Sequence, residues 1–136
     1  MSRFQIRRDR LRRSFKKSGV RGFLVTDFTN VTYLTGFSGD DSFLLFLEDR
    51  EVMLSDPRYT TQLQEECPGL AIEIRAPGTA MFQSIGKLLG KSRQTSIGFE
   101  SSGMTVQMHQ RLLAEISEVE WVGCSGLIET LRMIKD

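Results

Sequence analysis

Histidine is nearly missing from this sequence: His109 stands alone among 136 residues, and only two cysteines, Cys67 and Cys124, accompany it. One histidine leaves no HExxH and no His/Cys cluster, and the acids show no metal-ligand spacing, so a self-contained metal centre is not indicated. A Ser–His or Cys–His pair would have to use His109, and no second candidate base of that kind exists. Neither GxxxxGK[ST] nor GxGxxG occurs, which removes the two common phosphate-cradling loops. The cysteines lie 57 positions apart and form no CxxC pair, so they read as reduced, buried or half-buried thiols. No apolar run approaches the ~18 residues that span a bilayer. The charged N-terminus carries no apolar signal core, so a cytoplasmic, membrane-free protein is expected.

The composition that remains is that of a globular domain, with 40% hydrophobic and 26% charged residues. The net charge of +1 conceals an asymmetry. Residues 1–21 hold nine of the 18 Lys and Arg and one acid, Asp9, leaving nine basic against 16 acidic residues beyond them. Such a skew fits either contact with an acidic partner or nucleic acid, or a basic helix lying on an acidic neighbour within the fold. The second is the simpler reading, because the basic segment has no interleaved aromatics on its charged face and matches no nucleic-acid motif.

Periodicity divides the chain into alternating strands and helices. Arg3 to Lys17 reads as an amphipathic helix with Phe4, Leu11 and Phe15 on one stripe, and Lys16 and Lys17 face its C-terminal dipole. Gly22 to Thr26 is a short apolar strand. Phe43 to Leu47 and Glu51 to Ser55 form a hairpin around Glu48-Asp49-Arg50. Asp56-Pro57 opens a helix from Arg58 to Cys67. Leu70 to Arg75 is a strand, Ala76-Pro77-Gly78 a turn, and Thr79 to Leu89 a helix closed by Gly90. Thr95 to Phe99 is a strand, followed by a Glu100-Ser101-Ser102-Gly103 loop. Met104 to Ile116 is the clearest amphipathic helix, with Met108, Leu112, Leu113 and Ile116 on one arc and His109 semi-buried within it. Val119 to Val122 and Leu127 to Ile134 finish the chain. Met53, Met81, Met104, Met108 and Met133 sit at apolar positions and are expected to fill core. The alternation predicts an α/β domain whose mixed β-sheet is antiparallel near the hairpin, parallel elsewhere, and flanked by helices. No linker, repeat or low-complexity tract interrupts it, so residues 1–136 are read as one domain.

One stretch carries most of the functional information. Thr29 to Thr35 makes a short helix capped by Asp27 or Thr29, and Gly36 ends it in the left-handed conformation. Phe37-Ser38-Gly39-Asp40-Asp41-Ser42 then forms a loop tethered at both ends by regular structure, where binding side chains are commonly displayed. Gly36 and Gly39 are expected to let the loop project beyond the sheet. Asp40 and Asp41 are suited to a cation or an ammonium group. The plain alternative is a solvated helix-to-strand turn.

Four segments, in order and spacing, resemble a known family. They are Asn30-Val31-Thr32-Tyr33-Leu34-Thr35-Gly36-Phe37-Ser38-Gly39, Asp56-Pro57-Arg58-Tyr59-Thr60-Thr61-Gln62, Ile97-Gly98-Phe99-Glu100 and Leu131-Arg132-Met133-Ile134-Lys135-Asp136. Together they are similar to the N-terminal domain of the creatinase and Xaa-Pro peptidase family, nearest to bacterial aminopeptidase P and prolidase-type enzymes. The resemblance implies an α/β fold like that of ribonuclease H. It further implies a separate C-terminal pita-bread domain, absent from this chain, which binds two divalent metal ions (manganese or cobalt) through two Asp, one His and two Glu and hydrolyses the bond before proline. This segment would then have no catalytic or metal-binding residue and no cofactor of its own. Its implied partners are the C-terminal domain of the same polypeptide and a second copy in a homodimer.

By the same resemblance, Phe37, Ser38, Gly39, Asp40 and Asp41 form a substrate-access loop, and Asp56, Arg58 and Tyr59 a structural motif. The loop lacks the arginine that helps creatinase bind its substrate carboxylate, which argues against creatine as substrate. A reading from a different class is a stand-alone interaction module that uses the basic helix 3–17 to bind an acidic partner or nucleic acid. The sequence leaves open whether the chain is a piece of a longer protein, and whether that protein is an aminopeptidase or a dipeptidase.

Overall fold

The computed structural model describes residues 2–76, 80–92 and 95–134. The expected Pro77-Gly78 turn, the Thr79 helix start, and Lys135-Asp136 of the last segment lie outside the described residues. Six strands form one sheet in the order β4-β3-β2-β1-β5-β6: β1 Gly22–Val25, β2 Phe43–Phe46, β3 Glu51–Ser55, β4 Ala71–Ile74, β5 Ser96–Glu100 and β6 Glu120–Cys124. β2 runs antiparallel to both β1 and β3, and every other neighbouring pair is parallel. The predicted mixed α/β architecture is therefore the observed one.

The central strands are apolar at every position because both faces of the sheet are covered. Successive strand side chains point to opposite faces, so Phe23 and Val25 enter one core and Leu24 the other. On the first face lie α1 (Arg3–Lys17), α2 (Phe28–Thr35), α3 (Thr60–Glu66) and α6 (Leu127–Arg132), contributing Leu11, Phe15, Leu34, Leu63 and Ile128. On the second face lie α4 (Met81–Ser92) and α5 (Val106–Glu115), contributing Phe82, Ile85 and Leu112.

The basic helix owes much of its charge to the fold. Arg8 is buried, donating to the Glu51 carboxylate at 3.2 Å and to the Leu34 carbonyl at 2.8 Å. Arg12 donates to the carbonyls of Leu47 and Arg50 at 2.6 and 3.3 Å and to Glu51 at 2.6 Å, which pins the β2–β3 turn to α1. Arg7 donates to the Tyr33 carbonyl at 2.9 Å and lies 4.1 Å from the centre of that ring. These three arginines thus serve the interior, as the intramolecular reading of the charge skew expects.

Several local expectations need correction. Gly90 does not close α4, which continues to Ser92; Gly90 keeps an ordinary φ, and a helical glycine without a positive φ weakens a helix by about 1 kcal/mol without ending it. The expected helix from Arg58 begins as a 3-10 turn over Pro57–Tyr59, and α3 starts only at Thr60. Leu113 is 45% exposed and Met133 85% exposed, so neither fills core. Glu100 is not a loop residue; it ends β5 and is buried.

The register brings the site together. Because β2 is antiparallel, its first residue, Phe43, lies beside Leu54 near the end of β3, and Ser55 pairs with Ile74 at the end of β4. The carboxyl ends of the five parallel strands and the amino end of β2 therefore share one edge of the domain, the position at which open α/β sheets hold their ligands.

Candidate functional site at the carboxyl end of the sheet

The loop at 37–42 is shaped from its ends inward. Asp27 caps α2, its carboxylate accepting from the Asn30 N–H at 3.1 Å. Gly36 ends the helix with φ +79°, and a β-carbon there would meet the Phe4 ring at 2.8 Å. The Thr32 hydroxyl donates to the Phe37 carbonyl at 2.8 Å, and the Phe37 N–H donates to the Thr35 hydroxyl at 3.1 Å. Asp41 takes φ +51°, the one described non-glycine residue with positive φ, in a region aspartate tolerates. The buried Ser42 and Ser55 hydroxyls, 2.7 Å apart, fasten the loop to β3.

Two expected roles change. Phe37, placed by the resemblance in the substrate-access loop, is fully buried and meets the Tyr59 ring edge-on at 5.3 Å. It roots the loop in the core. Gly39 does not adopt a positive φ; its lack of a side chain makes room for that aromatic pair, since a β-carbon would lie 2.4 Å from Phe37 and 2.9 Å from Tyr59.

The Phe37–Asp41 loop and the Asp56/Arg58/Tyr59 motif, separate in sequence, form one cluster. The Asp56 carboxylate accepts from the Arg58 N–H at 2.9 Å, from Arg58 Nε at 3.1 Å, and from Arg75 Nη2. The Arg58 backbone N–H, ahead of the two guanidinium charges, holds the Asp56 carboxyl below its usual range. Arg58 Nη2 reaches Asp41 at 3.0 Å and lies 4.0 Å from Asp40. The Tyr59 hydroxyl donates to Asp40, and that bond to a carboxylate pushes the phenol upward. Ser38 is tied through its N–H to Glu66 at 3.1 Å and through its hydroxyl to Gln62 at 3.1 Å. The Asp40-Asp41 pair, read from the sequence as suited to a cation or an ammonium group, already has the Arg58 guanidinium beside it. All three of these side chains remain well exposed, at 66%, 70% and 60%. Such a surface can orient a small polar or charged group.

A second cluster at the same edge was not foreseen. Glu100 Oε1 accepts from the N–H groups of Thr26 and Asp27 at 2.8 and 3.1 Å, and its Oε2 accepts from the Asn30 amide at 2.5 Å. That amide also donates to Glu129 at 2.8 Å, and the Asn30 oxygen accepts from Arg132 at 3.1 Å. Burial raises the Glu100 carboxyl above its ordinary value, against the lowering effect of its three donors. The network joins the end of β1, the start of α2, the end of β5 and α6.

The remaining reactive groups lie elsewhere. His109 stacks on Phe99 at 4.9 Å, semi-buried as expected, in the layer of α4 and α5. Cys67 is buried and Cys124 partly so, and burial pushes both thiols up, away from nucleophilic thiolate.

The family model described as Creatinase/Prolidase N-terminal domain matches residues 7–134. The chain belongs to that family. Among curated proteins, this creatinase/prolidase N-terminal domain is 32% identical over 127 residues to the uncharacterized peptidase YqhT of Bacillus subtilis, covering 93% of this chain and 35% of that protein. It therefore spans about a third of the length of that relative. Among solved structures it resembles an Xaa-Pro dipeptidase from Bacillus anthracis, with TM-score 0.90 and 26% identity over 98% of this chain and 37% of that one. It also resembles the N-terminal domain of the cytoplasmic peptidase PepQ from Mycobacterium tuberculosis H37Rv, with TM-score 0.85 and 34% identity over 93% and 98%.

Among the described residues of this creatinase/prolidase N-terminal domain, no three His, Cys, Asp or Glu side chains are grouped to hold a metal ion. The aspartates at the edge are already paired with Arg58 and Arg75. A divalent metal pair does not fit these residues. No helix among the described residues is long and apolar enough to cross a membrane.

Proposed function

We propose that this creatinase/prolidase N-terminal domain is the accessory domain of a cytoplasmic, metal-dependent Xaa-Pro peptidase, where it supports dimer formation and shapes substrate access. Peptide hydrolysis then belongs to a C-terminal pita-bread domain that carries the divalent ions, manganese or cobalt. The observation that carries the reading is the union of the Phe37–Asp41 loop with Asp56, Arg58 and Tyr59 at the carboxyl end of the sheet. Phe37 and Gly39 fix the loop from beneath, and Ser38, Asp40 and Asp41 face outward. The outward carboxylates suit the free ammonium of a short peptide, with Arg58 limiting the field to one group of modest charge. These side chains contribute binding; the reacting carbonyl lies elsewhere, so their influence falls on substrate affinity.

The test is expression of the longer reading frame beside the 136-residue chain. Cleavage of an Xaa-Pro peptide with manganese or cobalt is expected only from the longer protein. Turnover by this chain that survives repurification, and is abolished by a substitution within it, would overturn the assignment.

A further inference from the structure

We infer that the crevice between β1 and β5 is a carboxylate-binding site whose ligand is built into the chain, the side chain of Glu100, and that removing this side chain leaves a receptor for a free small carboxylate such as acetate. The inference stands apart from the accessory-domain reading, because it concerns this chain alone. It starts from topology. β1 and β5 are adjacent and parallel. The chain leaving β1 enters α2, whose Val31 and Leu34 pack in the first core. The chain leaving β5 enters α5, whose Leu112 packs in the second. Neighbouring parallel strands whose connections part to opposite faces open a crevice at their carboxyl ends, and α/β sheets hold ligands there.

Here the crevice is filled from within. Glu100 is the last residue of β5 and is 6% exposed. Its Oε1 accepts from two consecutive backbone N–H groups, those of Thr26 and Asp27, where β1 gives way to α2. Its Oε2 accepts from the Asn30 amide in the first turn of α2. All three donors are neutral N–H groups. The nearest cation in this network, Arg132, stands one residue back and donates to the Asn30 oxygen. Consecutive backbone N–H groups leading into a helix are the arrangement with which such folds take a bound anion. The Glu100 oxygens therefore occupy the place of a ligand's oxygens. The neighbouring acids are engaged elsewhere: Asp27 accepts from the Asn30 N–H at 3.1 Å, and Glu129 accepts from the Asn30 amide at 2.8 Å. Without Glu100, the Thr26 and Asp27 N–H groups would face a buried space with no acceptor, which is costly. A carboxylate from solution is the chemical complement of that space.

Chemical rescue tests this directly. Glu100→Ala removes a methylene and a carboxylate, the heavy atoms of one acetate ion. In the 136-residue chain at neutral pH, acetate should raise the unfolding midpoint of this variant saturably, by roughly 3–6 °C beyond chloride at the same ionic strength. Wild type and Glu100→Gln, whose crevice is full, should respond alike to the two salts. Equal shifts in all three proteins would be a general salt effect and would overturn the inference. Hydrogen exchange locates the ion. The Thr26 and Asp27 amides should exchange roughly tenfold or more faster in Glu100→Ala than in wild type, and acetate should slow them again. Stabilisation that leaves these two amides fast would put the ion elsewhere and count against the crevice. Should Glu100→Ala be unfolded by itself, acetate and not chloride should recover the folded protein, and no recovery would again overturn the inference. Propionate, one methylene longer, should rescue less well than acetate; an equal or better response would contradict a space shaped by Glu100.

Discussion

Two groups of carboxylates share one edge of this sheet and are built on opposite principles. Glu100 is buried, accepts three hydrogen bonds from fixed donors, and joins four elements. Asp40 and Asp41 are exposed and are held by Tyr59 and Arg58, which are themselves near the surface. A buried carboxylate is tolerated only when its partners are fully supplied, so Glu100 constrains the frame. Exposed ion pairs add little to stability, so the aspartates contribute little to holding the edge. The difference separates what holds the edge from what the edge presents.

The sharpest way to break the comparison is at Phe37, where the exposed loop is rooted in the core. Phe37→Ala should cost about 3–5 kcal/mol, as for other fully buried aromatics, read by urea or thermal unfolding. A loss below about 1 kcal/mol would show that the loop is held by its polar contacts instead.

Next in size is Glu100. Replacement by Gln puts an amide against the Asn30 amide and leaves a buried donor unpaired, at about 1–3 kcal/mol. Its pH dependence has a defined sign. Burial raises the folded-state value above the ordinary 4.5, so the folded protein binds this proton more tightly than the unfolded chain. The stabilising contribution is complete below pH 4.5 and is lost as pH rises through the raised value. The stability advantage of wild type over Glu100→Gln should therefore shrink as pH increases across that window, and an advantage that grows would contradict the burial of the charge.

Gly39→Ala comes third. Its β-carbon would overlap the buried Phe37 ring, and repacking should cost about 1–2 kcal/mol in the same unfolding measurement. An unchanged midpoint would mean that the Phe37–Tyr59 pair yields freely.

The smallest expected change in stability is that of the Asp40→Asn, Asp41→Asn double variant, whose unfolding midpoint should match wild type. In the longer protein, on the proposed peptidase reading, the same variant should raise KM for short peptides by roughly tenfold or less with kcat little changed. An unaltered KM would return the loop to a structural role. A collapse of kcat at constant KM would contradict a role confined to binding.

Most of the fold was legible because the sheet is covered on both sides. Phe43 to Leu47 is apolar at every position for that reason, and Gly36 ends its helix through the conformation its lack of a side chain permits. The loop and the Asp56 motif were legible as separate segments. Their union was not, because it depends on Ser55 and Phe43 arriving at one end of neighbouring strands. Glu100 was missed as a buried anchor for a plainer reason: its partners Asn30, Thr26 and Asp27 lie about 70 residues away, and local polarity alone reads a glutamate after a strand as the start of a loop. Phe37 shows the converse error, since an isolated aromatic between glycines looks like a displayed side chain until the ring it packs against is known.

The strand order also governs how the chain can assemble. β1, β2 and β3 are consecutive in sequence and adjacent in space, and the Leu44–Met53 pairing closes a short loop. The β1–β5 pairing joins Gly22 to Ile97, a far longer closure whose entropy must be met before its contacts stabilise anything. The three-stranded antiparallel unit, with α1 already fastened to its turn through Arg12, can thus organise while the polypeptide is still incomplete. The β1–β5 pairing therefore carries the larger closure cost, and Glu100 travels with β5. Until that strand is in place the amide groups of Thr26 and Asp27 lack their acceptor, so the frame of this edge depends on the longest closure among β1, β2, β3 and β5.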